Sequence, residues 1–178
     1  MDVAQLQAAL AEYFAPWVHA LELEVRAADT EQVTLRLPHG GHLARTGGMV
    51  CGQALMAAAD TAVALALFRH FGAFRPCTTV QMNSSFLRPL VGQDGVVQAR
   101  LVRVGKALAF AEVDIAGATD GKSVCRVSAT YALLLGAPPA ACHRRRLSSS
   151  RSHPGPVHPG NAGQTFGRCC WVCPAWHH

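Results

Sequence analysis

No acidic residue occurs in residues 136–178 of this chain; all eleven lie before that point. The formal charge of +5 therefore comes from Arg144, Arg145, Arg146, Arg151 and Arg168, and residues 1–135 balance to zero. A neutral body with a basic tail is poor footing for polyanion binding, so no nucleic-acid partner is expected. Paired cysteine spacing is lacking as well. Cys51, Cys77 and Cys125 are scattered through the body, and Cys142, Cys169, Cys170 and Cys173 sit in the tail, which leaves no disulfide framework. Cys170-Trp-Val-Cys173 has the form of half a zinc site, but no second ligand pair stands at structural-zinc spacing. Neither a metal nor any other cofactor is expected. No basic-then-apolar leader opens the chain, and the body reads as cytoplasmic.

What is present divides at Gly136. Residues 1–135 have the length for one domain with a substantial core. Residues 136–178 are Pro, Arg, Ser, His, Gly, Cys and Trp without periodicity, a low-complexity basic tail of the disordered type. An out-of-frame or otherwise unselected extension is one explanation for so abrupt a change.

Within the body the dominant stretch is Gly47 to Phe68, GGMVCGQALMAAADTAVALALF. So long an apolar run, rich in alanine and free of turn signals, predicts a helix. Gln53 and Asp60 argue against a membrane span, since an Asp near the middle costs about 2.5–3.5 kcal/mol on insertion scales. Upstream, Asp2 caps a helix carrying Val3, Leu6, Leu10 and Phe14, which Pro16 stops. Alternation from Leu21 to Leu37 predicts two strands with a turn at Ala28–Thr30. Downstream, strands are expected over 77–86, 96–104, 107–115 and 123–135, spaced as an antiparallel meander. The fold class is α+β, with a curved antiparallel sheet wrapped around one long central helix.

Asp60 is the residue that demands an explanation. A charge on a buried helix is expensive unless paired, and this helix offers little polar face on which to expose it. Gly47, Gly48 and Gly52 let the backbone approach a ligand at the helix start, where free N–H groups and the dipole favour negative charge. An oxyanion-binding helix start, followed two turns later by a carboxylate, points to acyl-group chemistry. The bare pattern also admits an ordinary core helix with a structural acid.

Gly47-Gly48-Met-Val-Cys-Gly52, then Asp60, then Phe86-Leu-Arg-Pro89 resembles the hotdog-fold acyl-CoA thioesterases of the phenylacetate (PaaI-like) type, over about residues 2–135. The resemblance implies that the Gly52 amide polarises the thioester carbonyl and that Asp60 is the base or nucleophile. A hydroxyl on the following strand assists; Thr79 matches best, with Thr78 one step out. Where many members read His-Gly-Gly, this chain has Cys51-Gly52-Gln53, and Arg45 stands in place of an Asn. Arg45 is open to two readings, a grip on a phosphate or the thioester oxygen, or a loop surface residue. Cys51 is equally a packed small residue or part of the substrate contact, and Gly48 belongs to the same substrate-binding stretch.

Gly52 and Asp60 stand roughly 12 Å apart along one helix. A thioester carbon needs its polarising donor and its attacking group each within about 3–3.5 Å. Two antiparallel helices about a two-fold axis satisfy that requirement, so a homodimer is expected, with a tetramer as a further option. The predicted function is hydrolysis of acyl-CoA or a related acyl-thioester. The alternative is a non-catalytic acyl-CoA or lipid-binding protein of the same fold.

Overall fold

The computed structural model describes residues 1–134 apart from Glu31, so the expected tail of 136–178, with its Cys170–Cys173 motif, lies outside the described residues. The chain begins with α1 (Val3–Tyr13), whose N-terminus carries a complete capping box. The Asp2 carboxylate accepts from the Gln5 amide at 2.8 Å, and the Gln5 side chain accepts from the Asp2 amide at 2.8 Å. Pro16 does more than end this helix. Its fixed φ and missing N–H suit the first position of a second short helix, α2 (Pro16–His19).

The alternation seen from Leu21 is real in burial but begins before the strand. Leu21 and Leu23 are buried, yet Glu22 between them takes a positive φ of 52°, and β1 runs only from Glu24 to Ala28. Gln7 ties α1 to this segment, donating to the Leu23 carbonyl at 3.2 Å and accepting from the Val25 amide at 2.7 Å. The remaining strands are β2 (Gln32–Leu37), β3 (Cys77–Phe86), β4 (Gly95–Val104), β5 (Leu108–Gly117) and β6 (Ser123–Leu133).

All six strands form one antiparallel sheet in the order β1-β2-β4-β5-β6-β3. The expected meander holds for β4, β5 and β6 only. Between β2 and β3 lies the long helix α3 (Gly52–Phe71), which carries the chain past the sheet, so β3 closes onto β6 at the far edge. The segment after β3 must then travel back to β4. It passes the start of α3, where Val50 donates to the Leu90 carbonyl at 2.9 Å and Met49 bridges Val91.

Helix α3 is the core. Ala58, Ala59, Ala62, Val63, Leu65 and Leu67 have no exposed surface, and strands β2, β4, β5 and β6 turn their alternate residues onto it. Alanine along the helix lets the sheet come close without large side chains to displace. The helix has the length and composition to cross a membrane, but here it is packed inside the fold. It ends at Gly72, whose left-handed φ of 74° returns its amide to the Arg69 carbonyl.

Strand β3 carries one irregularity that matters below. Its register with β6 shifts between Thr79 and Gln81, leaving Val80 as an extra residue. A bulge of this kind reverses which alternate residues face the helix. Before it, Cys77 and Thr79 face inward; after it, Met82, Ser84 and Phe86 do. Asn83 and Ser85 instead line a polar groove on the outer face of the sheet.

Candidate active site

The start of α3 is held from both sides. The Cys51 amide donates to the Leu43 carbonyl at 2.8 Å, and Cys51 itself is the N-cap, extended and without a side-chain capping bond. Helix begins at Gly52, with the glycine-rich stretch from Gly47 as its entry. Gly47 and Gly48 form a turn ahead of it, with φ of 96° and 73° that only glycine adopts without strain. That turn is closed by the Gly48 amide donating to the Arg45 carbonyl at 3.0 Å.

As the first helical residue, Gly52 has an amide with no acceptor inside the helix, at the positive end of the dipole. A Cβ at this position would come within 3.2 Å of the Phe86 ring, so the end of β3 passes close over the helix start. The amide borders a cleft of about 430 Å³ lined by Arg45, Gly52, Leu55, Phe86 and Arg88. Phe86 and Arg88 reach it because the chain after β3 crosses back over the helix start.

Two turns further along, Asp60 is half-buried on α3 and opposite a pair of hydroxyls. Thr79 Oγ1 donates to Asp60 Oδ1 at 2.7 Å. The Tyr131 hydroxyl also donates to Oδ1, and it lies 2.9 Å from the Asp60 main-chain carbonyl. Thr79 and Tyr131 are direct partners in the β3–β6 register, which is why both hydroxyls converge on one oxygen. Tyr131 is only 2% exposed. Burial, the Asp60 negative charge and the hydrogen bond to it push the Tyr131 phenol well above its ordinary range. Burial, with the same carboxylate nearby, pushes the Cys77 thiol up to about 11, which keeps it protonated and unsuited to act as a thiolate.

Asp60 stands where two clefts meet. One, of about 370 Å³, is walled by Tyr13, Phe14, Phe68 and Phe74. These rings pack on each other, with Tyr13 stacked on Phe74 at 4.2 Å and Phe68 tilted to Phe74 at 5.1 Å. The other, of about 320 Å³, opens beside the free edge of β3 and is lined by Trp17, Gln53, Met56, Ala57 and Met82.

The structure therefore brings the sequence-derived residues together in two groups. Asp60 meets Thr79; Thr78 lines the same cleft, but its hydroxyl makes no bond to Asp60. Gly52 meets Arg45, with Cys51 as the cap between the helix and the loop, while Gly48 stays in the exposed turn. The two groups remain about 12 Å apart, the rise of eight helical residues. Sequence reading missed Tyr131. Its signal was its phase on β6, in step with inward Val127, Ala129 and Leu133, because a buried tyrosine hydroxyl needs a partner and Asp60 needed donors. Among the described residues no group of three His, Cys, Asp or Glu side chains is placed to hold a metal ion.

Comparison with known proteins matches residues 47–124 to the thioesterase superfamily. A Thermoplasma acidophilum protein described as a candidate esterase is 28% identical over 108 residues, covering 61% of this chain and 80% of that protein. Acyl-coenzyme A thioesterase 13 of Mus musculus is 36% identical over 52 residues, covering 29% of this chain and 37% of the mouse protein. The crystal structure of a candidate thioesterase from Silicibacter sp. superimposes with a TM-score of 0.69 at 28% identity, covering 76% of this chain and 93% of that one.

Proposed function

The chain is a hotdog-fold member of the thioesterase superfamily, and from that premise we propose that it hydrolyses acyl-CoA or a related acyl-thioester at a site shared by two copies. The observation that carries this reading is the division of the site along α3. The oxyanion donor is at Gly52 and the carboxylate at Asp60, too far apart to serve one carbonyl within a single chain. A second copy laid against the open edge of β3, its α3 antiparallel, brings its Gly52 to this chain's Asp60. Apolar exposure on that side, at Trp17, Met56, Val80 and Phe86, supports such a partner.

Asp60 then takes a proton from a water molecule as that water adds to the thioester carbonyl. The partner's Gly52 amide donates to the developing oxyanion. Collapse of the tetrahedral intermediate breaks the C–S bond, and the departing thiolate takes up the proton. In the other form of the same chemistry Asp60 attacks the carbonyl directly, and water hydrolyses the resulting acyl-aspartyl anhydride. Arg45 and Arg88 beside Gly52 provide charge for a phosphate-bearing thiol such as CoA. The aromatic wall around Asp60 supports an acyl group of the phenylacetyl kind as the finer reading.

A non-catalytic acyl-CoA-binding protein is the second reading, favoured by the helix start having Cys51 and Gln53 rather than a histidine pattern. Purified protein tested on acetyl-, hexanoyl-, palmitoyl- and phenylacetyl-CoA, with thiol release as the readout, separates the two. Steady turnover that Asp60→Asn reduces on the order of 10²–10⁴-fold supports hydrolysis. Tight binding without turnover establishes the second reading.

A further inference from the structure

The two oxygens of the Asp60 carboxylate are not equivalent. Oδ1 accepts from both Thr79 and Tyr131, whereas Oδ2 accepts no hydrogen bond among the described residues. The Tyr131 hydroxyl also lies within reach of the Asp60 main-chain carbonyl, so one phenol on β6 meets both the side chain and the backbone of the same helical residue. We propose that Tyr131 is the positioning residue of this site: with Thr79 it pins Oδ1, which fixes the Asp60 rotamer and presents Oδ2 as the oxygen that meets water or the acyl carbon. This rests on the thioester-hydrolysis reading above, in which Asp60 is the reacting group.

A plain structural role predicts something different. A buried tyrosine needs only one acceptor, and a main-chain carbonyl of α3 would satisfy it without involving the carboxylate. Here the phenol reaches the carboxylate as well, directly opposite the second hydroxyl on the same oxygen. Two donors on one oxygen leave the carboxylate little torsional freedom, and a reacting group displaced by about 1 Å loses on the order of 10²-fold. Burial keeps the phenol protonated, so it remains a donor throughout the pH range in which thioesters are assayed.

The test uses wild type, Tyr131→Phe, Thr79→Ala, the double variant and Asp60→Asn on the same four acyl-CoA thioesters. Tyr131→Phe is expected to lower kcat about tenfold with KM within about twofold, the pattern of a group that acts on the chemical step. The double variant is expected to lose more than the product of the single losses, because each hydroxyl alone still holds Oδ1. A second readout needs no turnover. The chain has two tyrosines, Tyr13 and Tyr131, so labelling tyrosine with ¹³C at Cζ gives two resonances that Tyr131→Phe assigns. Asp60→Asn is expected to move the Tyr131 resonance and leave that of Tyr13 in place.

Wild-type kcat in Tyr131→Phe while Asp60→Asn is inactive overturns this proposal alone. So does a loss confined to KM, or a Tyr131 resonance that Asp60→Asn leaves unmoved. Equal turnover by wild type and Asp60→Asn, or none by wild type, instead overturns the hydrolysis reading, and Tyr131's role falls with it.

Discussion

Gly52→Pro separates the two halves of the proposed site more cleanly than any side-chain truncation. Proline removes the amide proposed as the oxyanion donor, and position 52 is built to accept it. It is the first residue of α3, where an amide has no helical acceptor, and proline's φ suits that position. The preceding residue, Cys51, already sits at φ −70° and ψ 150°, the extended conformation that a following proline demands. A Cβ here stands 3.2 Å from Phe86 Cζ, and that ring is 52% exposed with room to give a few tenths of an ångström. Losing an oxyanion donor costs on the order of 10²–10³ in kcat, and losing the Asp60 carboxylate on the order of 10²–10⁴.

Both variant homodimers should therefore be nearly inactive, each for its own reason. Unfolding and refolding equal amounts together gives half mixed dimers, in which one site combines both defects and the other both intact residues. About a quarter of wild-type turnover should return, the value set by a two-fold shared site. Thiol release from an acyl-CoA before and after co-refolding measures it, with differently tagged subunits to count mixed dimers. Mixed dimers as inactive as their parents, or a protein that sediments only as a monomer, refute the shared site.

Alkaline pH should destabilise the fold. Cys77 and Tyr131 both have raised pKa values when folded, so above about pH 9 the unfolded chain gives up protons that the folded chain keeps. Their contribution is intact below pH 9 and is lost as pH rises toward 11. Denaturant midpoints under reducing conditions should fall between pH 8 and 10.5, less steeply in Cys77→Ala; a flat profile contradicts the assignment. Gly72→Ala should cost about 1–2 kcal/mol, since φ of 74° is left-handed while a Cβ there meets nothing within 4 Å. Gly41→Ala, equally open but with no left-handed φ, should be near neutral in the same chemical denaturation.

What could be read from the chain was whatever local pattern encodes. The alanine-rich run and its acid located α3 and Asp60, because helix formation and the cost of a buried charge are properties of neighbouring residues. Asp2 announced the cap of α1 for the same reason, while the reciprocal bond from Gln5 was not read from the chain. Sheet order was not legible. Nothing in residues 77–86 says that they pair with 125–133 rather than with the next strand, since that choice depends on where a helix of this length delivers the chain. Tyr131 stayed hidden on the same account. Its importance comes from lying opposite Thr79 across a ladder that joins residues far apart in sequence. The strand start at Leu21 misled because Leu21 and Leu23 are buried in strand-like alternation while Glu22 turns the backbone out of the sheet.

The extra residue at Val80 has a consequence for tracing this site through related chains. β3 serves two points on α3: Thr79 addresses Asp60 from one side of the bulge, and Phe86 closes over Gly52 from the other. Because inner and outer faces exchange at Val80, the two halves of the strand keep separate registers. Loss of one residue at this point is a different kind of event from any substitution. It would remove the bulge and restore strict alternation, with Thr79 still opposite Tyr131 and Met82, Ser84 and Phe86 still facing inward, so a single gap here in an alignment marks a straightened strand and not a change in the residues that face α3.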